Sequence, residues 1–200
     1  MKHILMTAFE PFGGETINPA LEIARALAEY HHPNAELHAL TVPVTFADAA
    51  ETVIRELNRR RYDAVLMLGQ AGGRASVTVE RVAINVNDAS IPDNAGAQPC
   101  DEPILTDGAP ACFATLPIKA IVAAIRAAGI AANVSNSAGT FVCNSLMYSV
   151  LHHLNKTDIP AGFIHVPWLP EQGERHNNAP SMPLEEMTRA IQAVIELIAE

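Results

Sequence analysis

Ala64-Val65-Leu66-Met67-Leu68 is an unbroken apolar run closed by Gly69. A short apolar run with no polar interruption reads as a strand buried on both faces, and such strands belong to parallel sheets covered by helices. His3 to Thr7 is a second short apolar run. Leu37 to Val42, a short segment around Val134, and Ala161 to Val166 read as further strands. Helices are predicted between them. Asn18 is a good N-cap, with Pro19 at the first helical position of a helix running to about Tyr30. Thr45 and Asp48 form an approximate capping box for a helix ending near Arg60. Pro117 to Ala128 is a helix stopped by Gly129, another spans Cys143 to about Asn155, and Pro183 to Ala199 closes the chain.

Strands separated by helices imply βαβ units. The expected fold is α/β, a three-layer α/β/α sandwich around a twisted, mostly parallel sheet, with residues 1–200 forming one domain. Ile84 to Thr115 fits this scheme poorly. It is rich in Pro, Asp, Asn and Gly, and an unstructured loop of that length is unusual, so short hairpin elements or a cover over a site are expected there. The acidic stretch Glu171 to Glu174 reads as a solvated loop.

Composition narrows the function classes. The formal net charge of −9 argues against a nucleic-acid partner. No apolar run reaches the ~18 residues of a membrane-spanning helix, and the start of the chain lacks a signal-peptide pattern. Three cysteines, Cys100, Cys112 and Cys143, cannot all pair within one chain, which fits a cytoplasmic, reducing location. His31-His32 and His152-His153 are adjacent pairs whose rings point apart; neither H-E-x-x-H nor C-x-x-C occurs, so no metal and no cofactor are expected.

Cys143 carries the chemistry. It follows the turn Ser137-Ala138-Gly139-Thr140 at the start of a helix, with Thr140 or Ser137 as candidate N-cap. Unpaired N–H groups at a helix start favour an anion, so the thiol is expected to ionise more easily than a free one. His165 lies near the end of the strand Ala161–Val166. In Ser76 to Ala83, Val77 and Val79 share one face while Thr78, Glu80 and Val82 share the other. A Cys–His pair needs an acid, and Glu80 is the candidate. Taken singly, each of these residues is more often structural than catalytic.

Their combination resembles the pyroglutamyl peptidase I (pyrrolidone-carboxylate peptidase) family of cysteine peptidases. The resemblance spans nearly the whole chain. It rests on Phe9-Glu10-Pro11-Phe12-Gly13-Gly14 with Asn18-Pro19, Gly69-Gln70-Ala71-Gly72-Gly73-Arg74, Val77-Thr78-Val79-Glu80-Arg81, Ile91-Pro92-Asp93-Asn94, Cys143-Asn144, and Gly162-Phe163-Ile164-His165-Val166-Pro167. It implies Cys143 as nucleophile, His165 as general base and acid, and Glu80 as the orienting carboxylate of an exopeptidase that removes N-terminal 5-oxoproline from peptides through a thioester. It also implies a homotetramer. The neutral lactam ring calls for flat apolar walls. Phe9, Phe12 and Phe141 are the candidates, with Phe12 and Phe141 sandwiching the ring by resemblance; Gln70 and Asn18 are further pocket candidates. The Cys143 N–H is a natural oxyanion donor, with a second expected from Gln70-Ala71. One position departs from the family, which commonly has Arg where this chain has Ser90. That motivates an alternative, a catalytically weakened binder of small cyclic amides, unless Arg74 or Arg81 supplies the missing cation.

Overall fold

In the computed structural model, which describes residues 1–200, the chain runs β1 (Lys2–Phe9), α1 (Pro19–Ala26), β2 (Ala35–Val42), α2 (Ala49–Arg59) and β3 (Ala64–Gln70). It continues through β4 (Val77–Glu80), β5 (Val82–Ile84), β6 (Ala111–Phe113), α3 (Ile118–Ala127), β7 (Ala132–Ser135), α4 (Val142–His153), β8 (Ala161–Val166), α5 (Pro170–Arg175) and α6 (Leu184–Ala199). Six strands make one sheet in the order β2-β1-β3-β8-β4-β7. β2, β1, β3 and β8 are parallel; β4 runs antiparallel to β8 and parallel to β7. The mostly parallel sheet follows from the buried apolar runs, and the reversal at β4 is the feature of the sheet that the pattern did not show.

Strand alternation sorts the side chains into two cores. Ile4, Met6 and Ala8 of β1, Leu66 and Leu68 of β3, Val77 and Val79 of β4, and Ile164 and Val166 of β8 pack with α1, α3 and α6. Leu5 and Phe9, Val65 and Met67, and Ala161 and Phe163 pack on the opposite face with α2 and α4. This is the expected three-layer sandwich. Thr78, Glu80, Gly69 and His165 belong by the same period to the α2/α4 face.

Some elements depart from the sequence reading: β1 runs on to Phe9 and β2 starts at Ala35. α1 ends at Ala26, short of Tyr30. The backbone tightens there into turns, with Ala28 N–H bonded to Arg25 C=O and Tyr30 N–H to Leu27 C=O. Thr45 and Asp48 hydrogen-bond each other, but α2 starts at Ala49 without a side-chain cap from Asp48. The acidic stretch Glu171 to Glu174 is part of helix α5: Pro170 supplies a pre-formed first turn, and the Gln172 side chain accepts the Leu169 N–H at 3.1 Å. Gln172 is fully buried, which no solvated loop would allow.

The segment 84–115 does contain a hairpin. β5 and β6 pair antiparallel, Ala83 opposite Cys112. Its polar residues hold the rest internally. The Asp93 carboxylate accepts N–H groups of Phe46 (2.8 Å), Ala95 (2.9 Å) and Ala97 (2.8 Å). The Asn94 amide donates to Glu10 Oε1 and to Pro11 C=O, both at 2.9 Å. Asp88 N–H reaches Thr140 C=O (3.0 Å), and Thr140 Oγ1 donates back to Asp88 C=O (2.7 Å). The segment is thereby pinned to the turn after β1 and to the turn before α4.

Candidate active site

His165, two residues after Phe163, sits on the α4 side of β8. Gly69 is its register partner on β3. A Cβ placed on Gly69 would lie 3.2 Å from Cys143 Sγ and 2.7 Å from the Phe163 ring. Only glycine leaves this space, so the sulfur rests over the strand rung that carries His165. On the other side of β8, Thr78 is the register partner of His165. Because β4 runs backward, Glu80 lies two rungs deeper than Thr78, one beyond the Val79–Ile164 pair. Its side chain is fully buried and reaches His165 Nδ1 with Oε1 at 2.8 Å. The expectation that Glu80 faces away from Val77 and Val79 holds; the strand stops there, and Arg81 breaks the alternation before Val82.

Arg74 completes the group. Its Nη1 donates to Glu80 Oε1 at 2.6 Å and also to Thr78 Oγ1. Arg81, the other candidate cation, instead donates to Asn136 Oδ1 at 2.8 Å. The sequence placed both arginines near the site; only the backward strand decides between them. Burial pushes the Glu80 carboxyl up, but the hydrogen bond and charge of His165, with Arg74, outweigh it and hold the group below its usual range. Burial pushes His165 below the ordinary imidazole value; Glu80 opposes this and Arg74 adds to it. At neutral pH the pair is therefore a carboxylate and a neutral imidazole. Nδ1–H donates to Glu80, which leaves the Nε2 lone pair free.

The thiol corrects an expectation. Burial pushes Cys143 up to about 12, and the Glu80 charge adds to the rise, while Arg74 and a backbone N–H oppose it. The helix start does act on the sulfur, but desolvation is larger. α4 begins after Phe141, which has no side-chain cap bond, so neither Thr140 nor Ser137 caps it. The first bond into the helix runs from Ser145 N–H to Phe141 C=O at 3.1 Å, and the N–H groups of Cys143 and Asn144 have no acceptor. Ala71 N–H, expected as a second oxyanion donor, is bonded to Val166 C=O at 2.9 Å. Asn144 N–H is the available one.

The aromatic candidates separate. Phe9 is buried against Phe163 in the core. Phe12 and Phe141 face each other with centroids 6.0 Å apart and planes 33° apart, and Phe46, absent from the sequence reading, meets Phe141 edge-on at 5.4 Å. Asn18 is spent internally: Oδ1 caps α1 through Ala20 N–H, and Nδ2 donates to Glu10 C=O. Gln70 Oε1 accepts from Gln172 at 3.1 Å, which leaves its amide N–H groups free. Asn144, also missed, is fully buried and clamps β5 to α4, accepting Ile84 N–H and donating to the carbonyls of Ile84 and Val86. Its signal was an amide one residue after the key thiol, on the buried side of a helix.

A cysteine at a helix start beside an imidazole–carboxylate pair occurs on several folds, so the comparison with known proteins decides the lineage. A family model described as pyroglutamyl peptidase matches residues 2–200. The chain belongs to the pyroglutamyl peptidase family. Pyrrolidone-carboxylate peptidase of Chromobacterium violaceum is 52% identical over 197 residues, covering 98% of this chain and 92% of that protein. The enzyme of the same name from Erwinia tasmaniensis is 51% identical with the same coverage. The crystal structure of pyroglutamyl peptidase I from Bacillus amyloliquefaciens superposes with a TM-score of 0.95 at 41% identity, covering 99% of this chain and 95% of that one. These relatives are peptidases, and none of them favours the alternative of a cyclic-amide binder. Within the pyroglutamyl peptidase frame, Ser90 is exposed in the pinned segment, two residues from the Asp88–Thr140 contact. No helix is long and apolar enough to cross a membrane.

Proposed function

We propose that this chain is a cysteine exopeptidase that hydrolyses the bond after an N-terminal pyroglutamyl residue of peptides. The 2.8 Å bond between Glu80 and His165 beside the Cys143 sulfur carries the reading. In the resting pair both thiol and imidazole are neutral. Attack therefore couples to proton transfer: Nε2 of His165 takes the thiol proton as the sulfur adds to the pyroglutamyl carbonyl. The imidazolium so formed is stabilised by Glu80 and returns the proton to the departing amine. Water, deprotonated by neutral His165, then cleaves the thioester. Arg74 keeps Glu80 ionised throughout. The N–H groups of Cys143 and Asn144 receive the oxyanion, each worth roughly 3 kcal/mol in such sites.

Phe12 and Phe141 are the proposed walls for the lactam, with Phe46 bracing Phe141 and the free Gln70 amide within the same rim. A flat ring between two others needs about 7 Å, so the slot opens by about 1 Å on binding. Phe9 and Asn18 serve it from behind, as core and helix cap. We further propose that residues 1–200 act as one domain, which the family match over residues 2–200 supports. A homotetramer rests on the family resemblance alone, and light scattering tests it. A cytoplasmic location is supported by three unpaired cysteines, one of them exposed. The deciding experiment is release of coumarin from a pyroglutamyl-coumarin amide by the purified chain, with Cys143→Ala alongside. No release by the parent protein, or equal release by the variant, would refute the proposal.

A further inference from the structure

At the opposite end of the α2/α4 face, away from Cys143, lies a second cluster of chemistry-bearing side chains. The parallel register sets His3 of β1 against Glu36 of β2, and His38 follows Glu36 on the same side of the edge strand. Three residues converge, each offering a ligand atom within 4.8 Å of the others, and the Glu36 carboxylate turns a different oxygen to each imidazole. His3 Nδ1 lies 3.3 Å from His38 Nε2 and 3.3 Å from Glu36 Oε2, and His38 Nε2 lies 3.2 Å from Glu36 Oε1. For metal–ligand bonds of about 2.0–2.1 Å, the edge of a zinc tetrahedron is about 3.3–3.4 Å. We propose that His3, Glu36 and His38 form a binding site for a divalent transition metal of the zinc class, with water in the remaining position.

The present occupant supports this. The Arg60 guanidinium donates to His38 Nδ1 (3.2 Å), His3 Nδ1 (3.3 Å) and Glu36 Oε1 (3.5 Å). The cluster thus already presents lone pairs and a carboxylate to a cation. His3 Nδ1 accepts from Arg60, so it is in the tautomer a metal requires. His38 accepts at Nδ1, so its Nε2 carries the proton. Release of Arg60 lets that proton move to Nδ1 and frees Nε2 for a metal. Arg60 and the metal are therefore competitors. Arg60 is 42% exposed and can leave, whereas His38 is 17% exposed and held edge-on to Tyr62 at 5.5 Å between ring centroids. A depression of about 340 Å³ lined by His38, Glu56, Arg60 and Tyr62 gives space beside the rings. Imidazole with carboxylate suits zinc and its neighbours over magnesium or calcium. No sequence spacing announces the site, because His3 and Glu36-Leu37-His38 meet only through strand register.

Zinc also binds thiolates and Cys100 is exposed, so the test uses tag-free protein carrying Cys100→Ser with Cys143→Ala. Zn²⁺ is titrated in competition with a chromophoric chelator, and Co²⁺ is used as a spectroscopic probe. The expected result is one metal per chain, a Co²⁺ spectrum without a thiolate charge-transfer band, and a melting temperature that rises with Zn²⁺. His3→Ala and His38→Ala, folded by circular dichroism, weaken binding by at least roughly tenfold, and Arg60→Ala tightens it. Absence of saturable binding, a thiolate band, affinity unchanged in the histidine variants, or no tightening in Arg60→Ala would each overturn the proposal.

Discussion

Two places in this molecule use the same three functional groups. At one end of the α2/α4 face, Glu80, His165 and Arg74 are held with 0%, 4% and 31% side-chain exposure and close at 2.6–2.8 Å. At the other end, Glu36, His38 and Arg60 are 47%, 17% and 42% exposed and meet at 3.2–3.5 Å. The chemistry is alike, and burial makes the difference. Where water is excluded, one hydrogen-bond arrangement is favoured and the protonation states are fixed; at the surface, screening makes one cation exchangeable for another.

The first way to break this comparison is to remove the group that the buried set serves. Cys143→Ala should lower kcat by at least about 10⁴-fold on the pyroglutamyl amide, with the fold intact by circular dichroism. Glu80→Gln should lower kcat by roughly 10³- to 10⁴-fold with little change in KM, because a neutral amide neither fixes the Nδ1–H tautomer nor stabilises the imidazolium. The matching change Glu36→Gln should register in zinc affinity. Equal effects of the two changes on kcat would erase the distinction between the ends.

Arg74→Ala sharpens the same contrast by a smaller amount. Loss of a charged hydrogen bond to Glu80 should cost roughly 10- to 100-fold in kcat. It should also move the pH profile. His165 is depressed in the folded protein, so the acid limb of kcat/KM lies below about 6.5. Arg74 contributes to that depression, so its removal shifts the limb to higher pH. A limb that stays in place would show that Arg74 is only structural. The same lowered value carries a stability consequence. The unfolded chain protonates its imidazole first as pH falls. The stability contributed by neutral His165 is therefore complete above about 6.5 and is lost as pH drops towards the folded value. The smallest expected effect is Ser90→Arg. With Arg74 already on Glu80, the added cation should raise kcat by less than about tenfold; an unchanged rate would remove any role for charge at position 90.

The apolar runs of β1, β3 and β8 made the sandwich legible, because two-sided burial leaves a compositional mark. Cys143, Glu80 and His165 were legible through the family motifs around them. Their convergence was not, because it depends on β4 running against β8, and neither strand's side-chain pattern encodes direction. The proton affinity of the thiol was not legible, because helix-start stabilisation can be read from neighbours in sequence while desolvation comes from the surrounding fold. Helix α5 was hidden for a related reason: Gln172 looks like a surface amide until Glu15, Ile17 and Gln70 close around it.

The pinned segment between β5 and β6 touches both sides of the aromatic slot. Asn94 grips Pro11 beside Phe12, while Asp93 holds Phe46 against Phe141 and Asp88 grips Thr140 beside the same ring. Neither attachment involves the Glu80–His165 bond. Ring selection and bond scission therefore have separate anchorage: a protease cut between residues 95 and 100 should slacken the grip on the lactam and raise KM, while the acid and imidazole keep their alignment.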